Sequence, residues 1–135
     1  QSMPMDYNNA DTYAFSEAVH EFAATQDWTA DGVDTLIVHV RGRSSNAADP
    51  LYVGLVDTAS NTGFVTYSDA DAAKSVLWIE WKIPLSEFAD AGVNLSRIKS
   101  MIIGLGDRET SAPGGSGRIF VDEIWLTRPV AAAVQ

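Results

Sequence analysis

The chain has 135 residues, of which 46% are hydrophobic and 20% charged, a composition typical of one folded domain with an ordinary core. It has no cysteine, which excludes disulfide bonds, thiolate-bound metals and a thiol nucleophile. Nine Lys and Arg against eighteen Asp and Glu give a formal net charge of −9, which argues against nucleic acids and anionic membranes as partners, because both attract cationic proteins.

Short apolar segments separated by turn residues predict an all-β protein, because no long helical pattern is present. The predicted strands, in chain order, are Ser2–Tyr7, Phe15–Phe22, Leu36–Arg41, Leu51–Val56, Phe64–Tyr67, Val76–Ile83, Ile98–Leu105 and Arg118–Leu126. Eight short strands at these spacings favour an antiparallel β-sandwich of the jelly-roll type. We assign residues 1–129 to this single domain and residues 130–135 to a tail or linker.

The side chains that catalysis requires do not form a recognisable pattern. The chain has two histidines, His20 and His39, and Ser116 lies between glycines without the spacing of a nucleophile elbow. Asp122 and Glu123 are neighbours on a predicted strand, so they point to opposite faces and cannot flank one glycosidic bond. We therefore expect no enzymatic activity.

The predicted strand Val76–Ile83 divides into two unlike faces. Its odd-numbered residues, Trp81 among them, are all apolar and are assigned to the core. Trp78 shares the other face with Glu80 and Lys82, where an exposed indole beside hydrogen-bonding groups suits the C–H face and hydroxyls of a sugar. The alternative is that a loop or a neighbouring strand covers Trp78.

Two further strands extend this predicted binding surface. His39 and Arg41 lie opposite the apolar face of their strand and would join Trp78 if the two strands are neighbours. In the last strand we assign Phe120 and the residues in phase with it to the core, so that Trp125 faces outward. The predicted carbohydrate-binding residues are thus Trp78, His39, Arg41, Glu80, Lys82 and Trp125.

The same choice places Asp122 on the core side of the last strand. A buried carboxylate is costly unless it is paired or bound to a metal, and calcium takes carboxylate, amide and carbonyl oxygens. Asp6, Asn8 and Glu17 near the N-terminus are the candidate calcium ligands that would join it. The alternative is a salt bridge from Asp122 to Arg108 or another cation.

Several segments in a fixed order carry a family resemblance. They are Asp27-Trp28-Thr29, an alternating strand that ends in Arg41-Gly42, Pro50-Leu51-Tyr52-Val53, Trp78–Phe88, Gly104-Leu105-Gly106-Asp107-Arg108 and Gly115–Leu126. Together they resemble the galactose-binding-like β-sandwich domains of bacterial carbohydrate-binding modules, from about Met5 to Pro129. The resemblance implies a non-catalytic jelly roll that frequently holds a structural calcium, with Asp122 as one ligand. It also implies a loop site as the alternative to the sheet surface, with Arg43, Asp107 and Arg108.

We accordingly expect a non-catalytic carbohydrate-binding module that attaches a larger secreted bacterial enzyme or surface protein to a polysaccharide or oligosaccharide. Its partners would be the glycan and the catalytic domain of the parent chain, and the module itself would be a monomer. The N-terminus shows no secretory signal pattern. We expect a targeting signal elsewhere in a longer, secreted or cell-surface protein, with action in the cytosol as the other possibility. The alternative function is a structural or protein-interaction β-sandwich without affinity for glycans.

Overall fold

The computed structural model describes residues 3–9, 15–108 and 114–128, and only the backbone of Glu123. The described strands are β1 (Met3–Asn8), β2 (Phe15–Gln26), β3 (Thr35–Arg41), β4 (Leu51–Asp57), β5 (Thr62–Thr66), β6 (Ile79–Pro84), β7 (Ile98–Gly106) and β8 (Ser116–Thr127). The described helical segments are short, namely α1 (Leu85–Asp90) and the 3₁₀ turns Ala30–Gly32, Ala70–Lys74 and Leu95–Arg97. The predicted tail 130–135 lies outside the described residues, as does part of the loop before β8.

Two four-stranded antiparallel sheets make up the fold. Sheet I has the order β1-β8-β3-β6, and sheet II has the order β2-β7-β4-β5. The chain passes from one sheet to the other at most connections, so that strands distant in sequence become neighbours within each sheet. This arrangement confirms the predicted β-sandwich of the jelly-roll type.

The core lies between the sheets and is built from alternate residues of each strand. Leu36, Val38 and Val40 of β3 are fully buried, as the sequence pattern predicts. They face Val53 and Leu55 of β4, which are equally inaccessible and belong to the same apolar cluster. Each such aliphatic side chain stabilises the fold by about 1.5–3 kcal/mol relative to its exposed state.

Strand β6 begins three residues later than predicted. The hydroxyl of Ser75 accepts a hydrogen bond from the Leu77 N–H at 3.3 Å and donates one to the Leu77 carbonyl at 2.9 Å. This local turn leaves Val76 and Leu77 exposed and outside the strand ladder. Trp78 therefore precedes β6, while Trp81 is buried in the core as predicted.

The predicted alternation of inward and outward side chains is wrong in the middle of β8. Ile37 pairs with Trp125 and His39 pairs with Asp122, so two residues of β8 oppose one residue of β3. Such a β-bulge reverses the alternation of side chains between its two sides.

Asp122 consequently lies on the outer face of sheet I, and the prediction that it points into the core is wrong. Ile119 and Val121 are the buried residues of this strand, and Phe120 lies outward with Asp122. Beyond the bulge Trp125 is 41% exposed and Leu126 packs against the core, as predicted. The prediction that Ile124 belongs to the core is wrong, because this residue is 43% exposed at the bulge.

Buried polar side chains hold the loops at the ends of the sandwich. Asn9 is fully buried and donates hydrogen bonds to Asp49 Oδ2 at 2.7 Å and to the Leu105 carbonyl at 2.9 Å. Asn46 donates to the Arg118 carbonyl at 2.7 Å and accepts from the Arg118 N–H at 3.0 Å. These bonds satisfy backbone groups that the strand ladders leave unpaired.

Asp57 has the same role at the opposite end of the sandwich, where it joins the β4–β5 turn to the segment that precedes β7. Its carboxylate accepts hydrogen bonds from the backbone N–H groups of Asn94, Asn61 and Ala59, each at 2.8–2.9 Å. The bond from Asn94 is the largest of the effects that hold the pKa of Asp57 below its ordinary value of 3.8. A lowered pKa means that the carboxylate stabilises the fold above the unfolded-state pKa and that this contribution is lost as the pH falls.

We predict that Asp57→Asn lowers the urea midpoint at neutral pH and weakens its acid dependence. The wild type should lose stability as the pH falls from about 5 towards 2, and the variant should lose less over the same range. Asp90→Asn, at an exposed aspartate of α1, is the matched control. Equal acid dependence of wild type and Asp57→Asn would contradict the role given to this carboxylate.

Candidate functional site

A row of residues crosses the outer face of sheet II where a tyrosine ring lies flat on the sheet. Glu17, Gly104, Tyr52 and Thr66 are register partners across its four strands. A Cβ atom at Gly104 would lie 2.5 Å from the Tyr52 hydroxyl oxygen. Only a residue without a side chain therefore lets the ring pack this closely against the neighbouring strand.

The next row repeats this arrangement with a phenylalanine. Gly54 and Phe64 are register partners, and a Cβ atom at Gly54 would lie 2.5 Å from the Phe64 ring. The rings of Phe64 and Tyr52 meet edge to face, with centroids 5.6 Å apart and an interplanar angle of 81°. Two glycines thus let two aromatic rings form a connected apolar floor.

An arginine from the end of β7 completes this cluster. The Arg108 guanidinium lies 4.2 Å from the Phe64 ring centroid and 5.0 Å from that of Phe15, within the range of a cation–π contact. Its Nε donates to Glu17 Oε2, which also accepts the Tyr52 hydroxyl at 2.6 Å. Burial, with the Glu17 carboxylate as second cause, raises the pKa of Tyr52, so the hydroxyl stays protonated.

These side chains border a pocket of about 330 Å³, called here the sheet II pocket. Its lining residues are Pro50, Tyr52, Phe64, Thr66, Gly106, Asp107 and Arg108. The volume is at the lower end of the range for small-ligand sites. Tyr52 is only 2% exposed, so the pocket presents mainly the half-buried Phe64 ring, the Asp107 carboxylate and the Arg108 guanidinium. These polar groups can bond the hydroxyls of a pyranose ring whose C–H face meets the exposed part of Phe64.

The outer face of sheet I carries a different arrangement, called here the sheet I face. Its residues form three rows across β8, β3 and β6, namely Trp125–Ile37–Lys82, Asp122–His39–Glu80 and Phe120–Arg41–Trp78. His39 Nε2 lies 3.3 Å from Glu80 Oε2, and Lys82 Nζ lies 3.5 Å from Glu80 Oε1. The rings of His39 and Trp125 have centroids 5.0 Å apart.

Arginine stacks on aromatic rings at one end of the sheet I face. The Arg41 guanidinium lies 5.2 Å from the Trp78 ring centroid and 5.3 Å from that of Phe120. Arg43 lies 5.5 Å from the same Phe120 ring. Trp78 is 43% exposed, so neither a loop nor a strand covers it fully.

The structure brings the six predicted carbohydrate-binding residues onto one surface, the sheet I face, although their role stays a prediction. It divides the predicted loop site, because Arg43 borders sheet I whereas Asp107 and Arg108 line the sheet II pocket. The sequence analysis did not identify Tyr52 and Phe64 as candidate site residues. The signal was present, since Tyr52 and Gly54 occupy the outward positions of a strand whose alternate residues are all large and apolar.

The four predicted calcium ligands do not come together. Asp6 pairs with Arg118 on the outer face of sheet I, which lowers the pKa of Asp6, whereas Glu17 pairs with Arg108 on sheet II. Asp122 faces outward because of the bulge, and Asn8 is at the end of β1. Within the described part of the chain, no group of three or more His, Asp or Glu residues could hold a metal ion.

A larger groove of about 610 Å³ opens between the two sheets. Its walls are mostly apolar and include Phe22, Trp28, Met101 and Leu126. Its hydrogen-bonding side chains are His20, Gln26, Trp28 and Trp125, and among the described residues it has no charged side chain in its lining, unlike the sheet II pocket. No helix in the described residues is long and apolar enough to cross a membrane.

Comparisons with known proteins agree on the fold. Neither a scan against protein-family models nor a search of curated proteins finds a match. A family 11 carbohydrate-binding module from Clostridium thermocellum, in complex with a β-1,3-1,4-mixed-linked tetrasaccharide, superposes with a TM-score of 0.62 at 16% identity, over 94% of this chain and 75% of that one. A family 30 carbohydrate-binding module gives 0.65 at 12% identity, over 99% and 72%.

A third similar structure is an exo-β-agarase, with a TM-score of 0.59 at 9% identity. The match covers 98% of this chain and 23% of that one. At such identities the likeness concerns the fold alone. The chain is a β-sandwich of the carbohydrate-binding-module type, as the sequence resemblance predicts.

Proposed function

We propose that this chain is a non-catalytic carbohydrate-binding module and that the sheet II pocket holds the sugar. The observation that carries the proposal is the pocket in which the half-buried Phe64 ring, supported from below by the buried Tyr52, is bordered by Asp107 and Arg108. The fold supports it, because the family 11 module of the same fold is described in complex with a tetrasaccharide.

The chemistry of the pocket favours a neutral glycan. The charge of Arg108 is balanced by Glu17 in direct contact, and the chain as a whole carries a net charge of −9. The guanidinium is held in place by Glu17, so its remaining N–H groups can donate to sugar hydroxyls without first being ordered. Asp107 offers acceptor oxygens at the same rim.

A pocket of this size fits a short stretch of a polysaccharide, and its affinity should be modest, since few atoms make contact. We further propose that the module belongs to a larger secreted or cell-surface protein. The match to about a quarter of the exo-β-agarase chain supports this, because a domain of this fold is there part of a longer chain. In such a protein the module would bind as a monomer and hold the attached domain near its polysaccharide.

We predict that Phe64→Ala weakens glycan binding at least about threefold, because aromatic stacking contributes roughly 0.5–1.5 kcal/mol beyond area burial and Arg108 loses its support. Tyr52→Phe keeps the ring and removes the hydroxyl bond to Glu17, so its effect should be smaller. Calorimetric titration with the β-1,3-1,4-mixed-linked tetrasaccharide, after a screen of neutral glycans, measures both.

The control is Val19→Ala, which removes an exposed apolar side chain from the same sheet without touching the pocket. It should bind glycans like the wild type. Wild-type affinity of Phe64→Ala would rule out the pocket. Absence of binding to every neutral glycan would favour the alternative, a structural or protein-interaction sandwich.

Calcium binding stays a proposal from the family resemblance, although Asp6, Asn8, Glu17 and Asp122 do not form one site in the structure. If the site is in the extracellular class of dissociation constants, about 10⁻⁴–10⁻³ M, millimolar calcium should stabilise the fold by about 1 kcal/mol. Thermal melting in calcium and in EDTA measures this as a higher midpoint in calcium. Identical midpoints would contradict calcium binding.

A further inference from the structure

We propose that the sheet I face is a second carbohydrate-binding surface and that it binds acidic sugars, namely the carboxylate-bearing uronic acid units of a polysaccharide. This inference does not depend on the sheet II pocket, because the two surfaces lie on opposite sides of the sandwich. The observations behind it are the contacts of Arg41 and Arg43 with aromatic rings, the exposed indoles of Trp78 and Trp125, and the balance of charge on this face.

Arg41 and Arg43 are cations held by aromatic rings. Arg41 stacks on both Trp78 and Phe120, and Arg43 on Phe120. Within residues 3–9, 15–108 and 114–128, neither forms an ion pair with a carboxylate, whereas Lys82 and Arg118 pair with Glu80 and Asp6. Arg43 lies near enough to Asp6 to contribute to its lowered pKa, after the larger effect of Arg118.

A stacked guanidinium is prepared to bind a carboxylate. The contact with aromatic rings restrains the guanidinium without using its N–H groups in an ion pair, and the fork of N–H groups matches the two oxygens of a carboxylate. Ordering the side chain before binding lowers the entropic cost of the contact. Two such groups around one phenyl ring, with 43% of Trp78 exposed beside them, join a carboxylate site to a surface for a pyranose ring.

The rest of the face suits the length of a glycan chain. Trp125, 41% exposed, lies at the other end of the same surface, next to His39. Glu80 and Lys82 lie along the β6 edge of this face and can exchange their mutual contact at 3.5 Å for bonds to sugar hydroxyls. An extended chain that crosses the face diagonally from β6 to β8 could therefore contact both tryptophans.

Local charge allows an acidic ligand despite the net charge of −9. Four of the nine Lys and Arg residues of the chain lie on or beside this face, namely Arg41, Arg43, Lys82 and Arg118. The described carboxylates there are Asp6, Glu80 and Asp122. Carboxylates elsewhere are screened at physiological ionic strength, where the Debye length is about 8 Å.

The test is calorimetric titration at about 0.15 M salt with tetragalacturonate and with its methyl ester, which has the same sugar rings without the charges. We expect the wild type to bind the acid at least about tenfold more tightly than the ester. The double variant Arg41→Gln/Arg43→Gln should lose at least about tenfold in affinity for the acid. Arg97→Gln/Lys99→Gln removes the same charge from an exposed region of sheet II and should bind like the wild type.

Three results would overturn the proposal. The first is equal wild-type affinity for acid and ester, or no binding of the acid, and this comparison needs no variant. The second is wild-type binding of the acid by Arg41→Gln/Arg43→Gln, or by Arg43→Gln alone should the double variant not fold. The third is loss of acid binding in Phe64→Ala, which would place the acidic sugar in the sheet II pocket. Loss of neutral-glycan binding in Phe64→Ala concerns only the proposed function.

Discussion

The alternation of side chains along paired strands is the constraint on which every surface of this protein depends. Each strand gives one set of residues to the core between the sheets, and the other set then has only the outer faces to occupy. Because Leu36, Val38 and Val40 are completely buried, His39 and Arg41 are held on the outside of sheet I. In the same way, burial of Val53 and Leu55 fixes Tyr52 and Gly54 on the outside of sheet II.

The outer faces of the two sheets differ because glycines occupy outward positions on sheet II but not in the rows of the sheet I face. On sheet II, Gly54 and Gly104 let Phe64 and Tyr52 lie flat, and Arg108 and Glu17 close the cluster around them. The result is a pocket. On sheet I the rows contain no glycine, and its aromatic residues stand beside long charged side chains. That face is therefore a surface with stacked cations, and the two sides of one sandwich offer different chemistry to a ligand.

Much of the fold can be predicted from local sequence, whereas the candidate site can be predicted only in part. The eight strands and the buried face of β6 are predictable because period-two alternation is strong there. The outward position of Asp122 is not predictable from local sequence. One extra residue in β8 opposite Val38 reverses the alternation of side chains, and such a bulge depends on how β8 pairs with β3. Trp78 and Arg41 were assigned to one surface correctly, since β3 and β6 are neighbours. The Tyr52–Gly104 contact joins residues far apart in sequence and requires the strand order.

The most direct test of the central claim is an NMR titration of the labelled protein with the β-1,3-1,4-mixed-linked tetrasaccharide. We expect chemical-shift changes confined to β4, β5 and the Asp107–Arg108 segment, with the sheet I face unaffected by this neutral ligand. Changes concentrated on the sheet I face or in the apolar groove between the sheets, or no changes with any neutral glycan, would contradict this claim.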